Sequence, residues 1–249
     1  MVDNVRVIVH IVAFITYIYS LYYSLRYIGQ GDEHYVYLFT YRGFGGKFKF
    51  LTFLNVLMQT VYFGLSIMND LKGSHAKPSD GGQKSKLQSF LDVYLAALVY
   101  PVGVFVVMTF WGIYAVDREL VYPKKLDELI PQWLNHTMHS TVLPFLLIEK
   151  IVVYHEYPTR RRGMSILLAF ALLYLCWILW IAYYANIWVY PVLAVMEAHQ
   201  RAIFIGILCV FFLTIYMVGE SLNKAIWRKE LAVKRNQGVQ QRKKSKKVS

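Results

Sequence analysis

Cysteine and acidic residues are scarce in this chain. Two cysteines, Cys176 and Cys209, are too few for a disulfide framework or a cysteine-rich zinc site. Both fall in apolar stretches, where we expect free thiols to be buried and inert. Asp and Glu number 15 against 27 Lys and Arg. These counts exclude the class of small disulfide-bonded secreted domains.

Apolar residues dominate the composition. They make up 57% of the 249 residues, and the mean hydropathy is +0.37, whereas soluble domains average about 45–50% apolar residues. Six apolar segments are long enough to cross about 30 Å of hydrocarbon. They are approximately 7–25, 50–68, 93–116, 133–153, 165–184 and 202–219. We therefore predict an all-α, multi-pass transmembrane bundle of about six helices.

Positive charge is concentrated near the C-terminal end. Ten of the 27 basic residues lie between Lys224 and Lys247. Because cytosolic segments of membrane proteins carry an excess of Lys and Arg, we predict that both termini face the cytosol. Residues 1–227 should form the membrane domain, and residues 228–249 a disordered basic tail beside an anionic membrane surface. The charge therefore does not indicate a nucleic-acid partner.

The final residues Lys246-Lys247-Val248-Ser249 resemble a di-lysine retrieval signal. Such a signal is read on the cytosolic side of the membrane, in agreement with the predicted orientation. It predicts residence in the endoplasmic reticulum membrane, with the plasma membrane as the alternative.

A polar cluster interrupts the fourth apolar segment. No Asp, Glu, Lys or Arg occurs between Leu129 and Ile148, yet residues 135–141 include two histidines and three hydroxyl side chains. Polar groups at membrane depth are costly and usually face a bundle interior or a cavity. Pro144 should kink this helix and free the carbonyl of Ser140, which then needs a partner of its own. We therefore expect function at this segment.

Thr52, Asn55 and Gln59 share one face of the second segment, because their spacing is i, i+3, i+7. Hydrogen bonding between helices is one interpretation of this face, and a threonine nucleophile is another. By the parity of the spans, Thr52 and His139 enter from the lumenal side and lie at comparable depth. If their helices are neighbours, the histidine could take the threonine proton during acyl transfer.

Further residues are candidates for supporting this pair. Asn135, four residues before His139, could orient the imidazole ring. Asn55, or backbone N–H groups of the loop 43–46, could stabilise a developing oxyanion, although packing or a plain turn would also explain these residues. His136 and His139 are spaced i, i+3, but two ligands are too few for a metal site. No metal and no cofactor is predicted.

Several long motifs carry a resemblance to a known family. They are Gly45-Gly46, Lys49-Phe50-Leu51-Thr52-Phe53, Tyr100-Pro-Val-Gly-Val-Phe-Val-Val, Phe110-Trp111, Asp117-Arg118-Glu119, Trp133-Leu134-Asn135-His136-Thr137-Met138-His139 and Trp188-Val189-Tyr190-Pro191. With these motifs, residues 45–227 resemble the androgen-induced protein family, which includes the androgen-dependent TFPI-regulating protein.

The resemblance implies a multi-pass membrane hydrolase that cleaves fatty acid esters of hydroxy fatty acids. Members of the family use a threonine and a histidine in place of a serine triad. The family's threonine lies in the Phe-Leu-Thr-Phe string, at Thr52 here, and its histidine is the second of His-x-Met-His, at His139. The family carries Asp where this chain has Asn55, which weakens the case for a role of Asn55.

We therefore predict a lipid ester hydrolase whose partners are the membrane and a lipid ester, with Thr52 as nucleophile and His139 as base. Protein partners are not predicted. Three cations on the lumenal side are candidates for binding a free substrate carboxylate. They are Lys47, Lys49 and Arg118. The alternative is a proton-coupled transporter or channel with His139 and Glu149 in a polar relay.

Overall fold

The computed structural model describes residues 2–28, 44–79 and 82–248, and for residues 2, 3, 238 and 240–248 it describes the backbone only. Gly43, from the predicted oxyanion loop, lies outside the described residues. The side chains of Lys246 and Lys247, from the predicted retrieval signal, also lie outside them. The described ranges contain helices and turns and no β-strand, which confirms the all-α fold.

The described ranges contain ten α-helices. They are α1 (Val2–Tyr27), α2 (Leu51–Lys72), α3 (Lys86–Tyr94), α4 (Tyr100–Val116), α5 (Gln132–His139), α6 (Val142–Val152), α7 (Arg160–Ala185), α8 (Pro191–Ala194), α9 (Ala198–Ile226) and α10 (Arg228–Val248). Short 3-10 helices cover Gly46–Lys49, Arg118–Leu120 and Lys124–Asp127.

A π-helical turn over Leu95–Val99 joins α3 to α4. It ends two residues before Pro101, which cannot donate a backbone hydrogen bond and whose ring would collide with the carbonyl four residues earlier, inside this turn. A wider turn relieves that collision, so the two helices continue as one rod, Lys86–Val116.

Five helical stretches are long and apolar enough to cross a membrane. They are Asn4–Tyr27, Leu51–Lys72, Lys86–Val116, Arg160–Ala185 and Ala198–Ile226. Their outer faces carry large apolar side chains, such as Leu173 of α7 at 72% exposure and Val210 of α9 at 67%. Large exposed apolar surfaces of this kind mark contact with lipid. The chain is an integral membrane protein with several spans.

The fourth predicted span is two helices, α5 and α6, of 8 and 11 residues. The N–H groups of Ser140 and Thr141 both donate to the carbonyl of His136, at 2.7 and 3.1 Å. Pro144 explains the break, because its ring cannot lie against the carbonyl of Ser140. Where about six single helices were predicted, the described residues thus form five long helices and one broken pair.

Four buried clusters fill the described bundle, and α4 contributes to the two largest. α1 lies against α2 and α6, with Tyr17 and Leu146 among the buried side chains of this cluster. α4 lies against α6 and α9, and its inner face joins a second cluster that contains Leu167 of α7 and Phe212 of α9. This central position brings α4 beside both the start of α2 and the end of α5.

The start of α1, the end of α2 and the tail lie at the same end of the bundle. Arg6 and His10 of α1 both contact Asp70 near the end of α2, at 2.9 and 2.6 Å. Lys234 of α10 contacts Glu156, which follows α6, at 3.4 Å. The termini therefore share one end, as the parity of the spans requires. Which side of the membrane this end faces remains a prediction.

Two expectations differ from the structure. The tail, predicted to be disordered, is helical in α10, and its richness in Lys, Arg and Gln accounts for this, because these are good helix formers. Cys176 is exposed and Cys209 half-buried, although burial was predicted for both. On a membrane helix an apolar residue can face lipid as well as the protein core, so apolar neighbours do not establish burial.

Candidate active site

Thr52 and His139 lie in direct contact. The Oγ1 atom of Thr52 is 3.1 Å from Nε2 of His139. Thr52 is the second residue of α2, and His139 is the last residue of α5. This separation is within the hydrogen-bond reach that a nucleophile and its base require. The structure thus brings together the two side chains predicted to act as a pair.

The turn before α2 sets the position of Thr52. Gly45 has φ +81° and Gly46 φ +52°, a left-handed conformation that glycine adopts at no steric cost. A Cβ atom on Gly45 would lie 3.1 Å from side-chain atoms of both Ile181 and Trp177. The described part of the loop 43–46 is therefore seated closely against α7, and it shapes the entry of the chain into α2.

Two tyrosine hydroxyls hold the first residue of α2. The N–H of Leu51 donates to the hydroxyls of Tyr174 and Tyr190, each at 3.0 Å. Tyr174 donates to the carbonyl of Lys49 at 2.9 Å and lies 2.7 Å from the Tyr190 hydroxyl. Because Tyr174 uses its hydrogen on the carbonyl, Tyr190 donates to Tyr174. The pair thus satisfies an N–H that has no partner inside the helix.

Three contacts fix the imidazole of His139. Its Nδ1 lies 2.9 Å from Oδ1 of Asn135 and 3.1 Å from the Asn135 carbonyl oxygen. The ring of Phe110 stacks on the imidazole with 3.6 Å between centroids. The indole N–H of Trp111 donates to the carbonyl of His139 at 2.8 Å, which ties the end of α5 to α4. The ring is therefore held from its edge and from one face.

These contacts determine the tautomer of His139. Both oxygens of Asn135 are acceptors, so the hydrogen-bond network places the imidazole hydrogen on Nδ1. Nε2 then presents a lone pair towards Thr52, whose hydroxyl donates to it. A base must offer such a lone pair to the proton that it abstracts.

Two cavities meet at Thr52. The first, the apolar cavity, lies between α2, α4, α7 and α9, comprises about 1030 Å³, part of it open to the surroundings, and is lined in part by Ala171 and Cys209. The second lies between α5, the start of α2 and the segment after α4 and comprises about 820 Å³, part of it open to the surroundings. We call it the polar cavity because its otherwise apolar lining includes Lys47 and His139. Thr52, the candidate nucleophile, therefore lines two cavities.

Four side chains line both cavities. They are Thr52, Phe110, Val121 and Tyr190. Phe110, which stacks on His139, and Tyr190, which bonds the first residue of α2, thus also line both cavities beside the candidate pair.

His136 has partners different from those of His139. Its Nδ1 lies 3.1 Å from Oγ of Ser140, and its ring stacks on Trp111 with 5.7 Å between centroids. Within the described ranges, no group of three or more His, Cys, Asp or Glu side chains is placed to hold a metal ion. His136 and His139 therefore have different contacts, although their spacing is i, i+3.

Asn55 lies in the bundle interior and outside the lining of both cavities. Its Oδ1 accepts from Nε2 of Gln59 at 3.2 Å, and Gln59 also donates to the carbonyl of Val99 at 3.3 Å. Among the described residues, Nδ2 of Asn55 has no hydrogen-bond partner. The structure does not bring Asn55 to the Thr52–His139 pair, and this polar face of α2 connects α2 to the π-helical turn.

The three predicted carboxylate ligands have different surroundings. Lys47 lines the polar cavity and donates from Nζ to the carbonyl and the hydroxyl of Ser24. Lys49 is 1% exposed, and its Nζ has no hydrogen-bond partner in the part of the chain that the structure describes. Nη2 of Arg118 contacts both carboxylate oxygens of Asp127, at 2.8 and 2.9 Å, so its guanidinium is already engaged.

Burial changes the acidity of the two lysines. It lowers the pKa of Lys47 and of Lys49 to about 8, because a low-dielectric environment disfavours the charged ammonium. Both side chains therefore change charge close to physiological pH.

Glu149 belongs to a separate network of buried charges. Its carboxylate contacts His10 at 2.9 Å, the hydroxyl of Tyr62 at 2.5 Å and His155 at 3.3 Å. These partners differ from those of His139, which are Thr52 and Asn135. The hydrogen bonds of the described residues thus give no direct relay between Glu149 and His139.

The site residues lie in the motifs on which the family resemblance rests. A sequence profile of the family described as FAR-17a/AIG1-like protein matches residues 5–224. The chain belongs to this family. The match covers both halves of the candidate pair and the four long helices that surround the cavities.

Several relatives are similar to this chain over most of their length. The human androgen-induced gene 1 protein is 43% identical over 192 residues, which are 76% of this chain and 81% of the relative. The human androgen-dependent TFPI-regulating protein is 38% identical over 184 residues, 74% and 78% of the two chains. The mouse protein of the same name is 35% identical over 210 residues, 83% and 87%. No solved structure gave a significant match.

The aromatic residues of the candidate site were not predicted from the sequence. Phe110, Trp111 and Tyr190 stand in the motifs that carry the resemblance, which was an available signal. Tyr174 stands in an apolar run of α7 without any distinguishing pattern. Its role follows only from the packing of α7 against the start of α2.

Proposed function

We propose that this protein is a membrane-embedded carboxylic ester hydrolase that cleaves fatty acid esters of hydroxy fatty acids. The observation that carries the proposal is the 3.1 Å contact between Thr52 Oγ1 and His139 Nε2, made where two cavities meet. The substrate class is inferred from the family resemblance. The roles of nucleophile and base are inferred from the Thr52–His139 contact.

In the first half of the reaction, Thr52 attacks the ester carbonyl. A threonine hydroxyl is a weak nucleophile, so it needs a base to remove its proton as the new bond forms. His139 accepts that proton on Nε2, while Asn135 holds Nδ1–H and keeps the ring in place. The protonated histidine then donates to the leaving oxygen, which departs as the free hydroxyl of a hydroxy fatty acid.

In the second half, water cleaves the acyl-threonine ester. His139 has regained its neutral form, and it removes a proton from the attacking water in the same way. The acyl group leaves as a free fatty acid, and Thr52 recovers its hydroxyl. One histidine thus serves both steps, and the reaction needs no external oxidant or reductant.

The start of α2 supports the developing oxyanion. N–H groups of a first helical turn lack partners inside the helix, and the helix dipole adds partial positive charge there. Leu51 is already bonded to the two tyrosines, which leaves the N–H groups of Thr52 and Phe53 as donors. Asn55, the donor suggested by the sequence, lies one turn further inside.

The test combines a covalent probe with a hydrolysis assay. Membranes that contain equal amounts of wild type, Thr52→Ala and His139→Ala are labelled with a fluorophosphonate and assayed with a branched fatty acid ester. Thr60→Ala and His136→Ala are matched controls. The Thr60 hydroxyl bonds only its own helix, to the carbonyl of Val56, and His136 contacts Ser140 rather than Thr52.

We expect labelling and hydrolysis in wild type and in both controls, and loss of both activities in Thr52→Ala and His139→Ala. Labelling that survives Thr52→Ala would assign the nucleophile to another residue. Wild-type protein that neither labels nor hydrolyses esters would refute the proposal, and proton flux in sealed vesicles would then test the transporter alternative.

A further inference from the structure

Thr52 lies between two cavities. The reaction alone does not determine which half of the substrate occupies which cavity. A fatty acid ester of a hydroxy fatty acid has two long chains, one on each side of the ester bond. The apolar and polar cavities each open at Thr52 and offer comparable space, about 1030 and 820 Å³ including their open sides. One chain in each cavity would place the ester bond at the nucleophile.

The charges of the two linings differ. Among the described residues that line the apolar cavity there is no Asp, Glu, Lys, Arg or His side chain. The polar cavity contains the ammonium-bearing side chain of Lys47. Burying a carboxylate without a partner is strongly unfavourable, so the chain that ends in a free carboxylate belongs in the polar cavity.

The position of His139 is an independent reason to place the hydroxy fatty acid in the polar cavity. His139 lines the polar cavity but not the apolar one. Its protonated Nε2 must reach the leaving oxygen, which belongs to the hydroxy fatty acid and not to the acyl group. The leaving group must therefore lie on the side of Thr52 that faces the polar cavity.

We propose that the two cavities sort the two halves of the ester. The acyl chain that is transferred to Thr52 occupies the apolar cavity, and the hydroxy fatty acid that leaves occupies the polar cavity. This inference rests on the proposed hydrolase function and adds to it the direction in which the substrate binds. It also implies that water for the second step enters through the polar cavity after the hydroxy acid has left.

The assignment predicts separate control of the two chain lengths. Ala171 of α7 is half-buried in the wall of the apolar cavity, and Ile130 is half-buried in the wall of the polar cavity. Ala171→Phe would fill part of the first space and Ile130→Trp part of the second. Leu173→Phe, on the outer face of α7 at 72% exposure, is a matched control for added bulk.

The experiment measures kcat/KM on two ester series. One series varies the acyl group from butanoyl to octadecanoyl with a fixed hydroxy acid, and the other varies the hydroxy acid with a fixed acyl group. We expect Ala171→Phe to lower kcat/KM for long acyl groups by about tenfold or more and to spare short ones, in the range known for crowded apolar pockets. Ile130→Trp should do the same for long hydroxy acids, and Leu173→Phe should change neither series.

Chain-length effects that are exchanged between the two variants, or shared equally by both, would overturn the assignment while leaving the hydrolase proposal intact. Absence of hydrolysis of every ester by wild type would refute the hydrolase proposal instead. Turnover of the shortest esters shows that each variant is folded.

A second measurement on wild-type protein covers the case in which a variant fails to fold. Cys209 lines the apolar cavity, whereas Cys176 does not line either cavity. A long-chain alkylphosphonate bound to Thr52 should slow alkylation of Cys209 by N-ethylmaleimide by about tenfold relative to a methylphosphonate, while Cys176 reacts equally with both. Equal alkylation of Cys209 in both adducts would place the acyl chain elsewhere.

Discussion

The ring of Phe110 lies nearly parallel to the imidazole of His139, with 15° between the planes and 3.6 Å between the centroids. Phe110 also lines both cavities, so one side chain orients the base and shapes the substrate space. Aromatic contacts of this kind are worth about 0.5–1.5 kcal/mol beyond the area that they bury. The stack therefore restrains the ring in the plane from which Nε2 reaches Thr52.

Removal of this stack should slow catalysis. In Phe110→Leu the imidazole loses its aromatic neighbour but keeps its hydrogen bonds, so we expect kcat to fall by about tenfold, in line with the energy of one aromatic pair. The rate of fluorophosphonate labelling should fall in parallel, because it depends on activation of Thr52. The control is Phe90→Leu, at an exposed position of α3. A wild-type labelling rate in Phe110→Leu would show that the stack does not position the base.

Asn135 is expected to act through the tautomer of His139. Asn135→Leu removes the side-chain acceptor at 2.9 Å, but the Asn135 carbonyl oxygen at 3.1 Å remains. We therefore expect a partial loss of kcat, about tenfold, corresponding to one hydrogen bond of about 1.5 kcal/mol. Asn135→Asp retains an acceptor and should keep more activity than Asn135→Leu. Equal kcat for the two variants would argue that Asn135 only fills space.

Recognition of a substrate carboxylate should depend on pH near 8. Lys47 and Lys49 are cationic below their pKa of about 8 and neutral above it. An ester with a free carboxylate should therefore lose kcat/KM as pH rises through 8, whereas an ester without a carboxylate should not lose it through this cause. The measurement is the ratio of kcat/KM for the two esters across this range.

Substitution separates the contributions of the two lysines. Lys47→Met should lower the ratio for carboxylated over neutral esters by about tenfold and flatten its pH dependence, as expected for loss of one charge-assisted hydrogen bond. Lys49→Met should have the smaller effect, because Lys49 does not line either cavity. Lys124→Met, at an exposed position, is the control. Equal losses for carboxylated and neutral esters would remove both lysines from substrate recognition.

The buried network around Glu149 is expected to matter for stability rather than for chemistry. Removing one partner of a buried ion pair costs about 3–5 kcal/mol, because the remaining charges lose their compensation. Glu149→Gln should therefore lower the thermal unfolding temperature of the purified protein, whereas Glu128→Gln, at an exposed position, should not. kcat per fluorophosphonate-labelled site should stay unchanged. Loss of kcat in stable, labelled protein would instead favour a proton relay through Glu149.

The helices were predictable from the sequence, but the contact between Thr52 and His139 was not. Both residues lie near the start of apolar segments that are predicted to begin on the same side, so their comparable depth stays a prediction from counting residues. That α2 and α5 are neighbours depends on tertiary packing. The break at Ser140 was signalled by Pro144, but a proline alone does not distinguish a bend from two separate helices.

The supporting residues were harder to predict because their types are common here. The chain has 20 Tyr, 15 Phe and 6 Trp, and no local pattern separates Tyr174 from the other aromatic residues of α7. Its role comes from a contact across 123 positions with Leu51. Asn55 was predicted from its helical spacing to lie near Thr52. Its side chain instead hydrogen-bonds Gln59 in the bundle interior and does not line either cavity.

Tyr174 and Tyr190 should position the nucleophile without touching the reacting atoms. Tyr174 bonds both the N–H of Leu51 and the carbonyl of Lys49, whereas Tyr190 bonds the N–H of Leu51 and Tyr174. Tyr174→Phe therefore removes the link between the turn and α2, while Tyr190→Phe leaves Tyr174 in place. We expect the loss of kcat to be larger for Tyr174→Phe, about tenfold or more, since a misplacement of about 1 Å can cost up to 10²-fold.

If the two tyrosines position Thr52, we expect three further results for Tyr174→Phe and Tyr190→Phe. KM should change less than kcat, the labelling rate should fall with kcat, and the double variant should lose less than the product of the two single losses, because the hydroxyls form one network. Tyr183→Phe, at 87% exposure on α7, is the matched control. If both single variants unfolded at lower temperature but kept wild-type kcat per labelled site, the tyrosines would stabilise the packing of α7 and would not position Thr52.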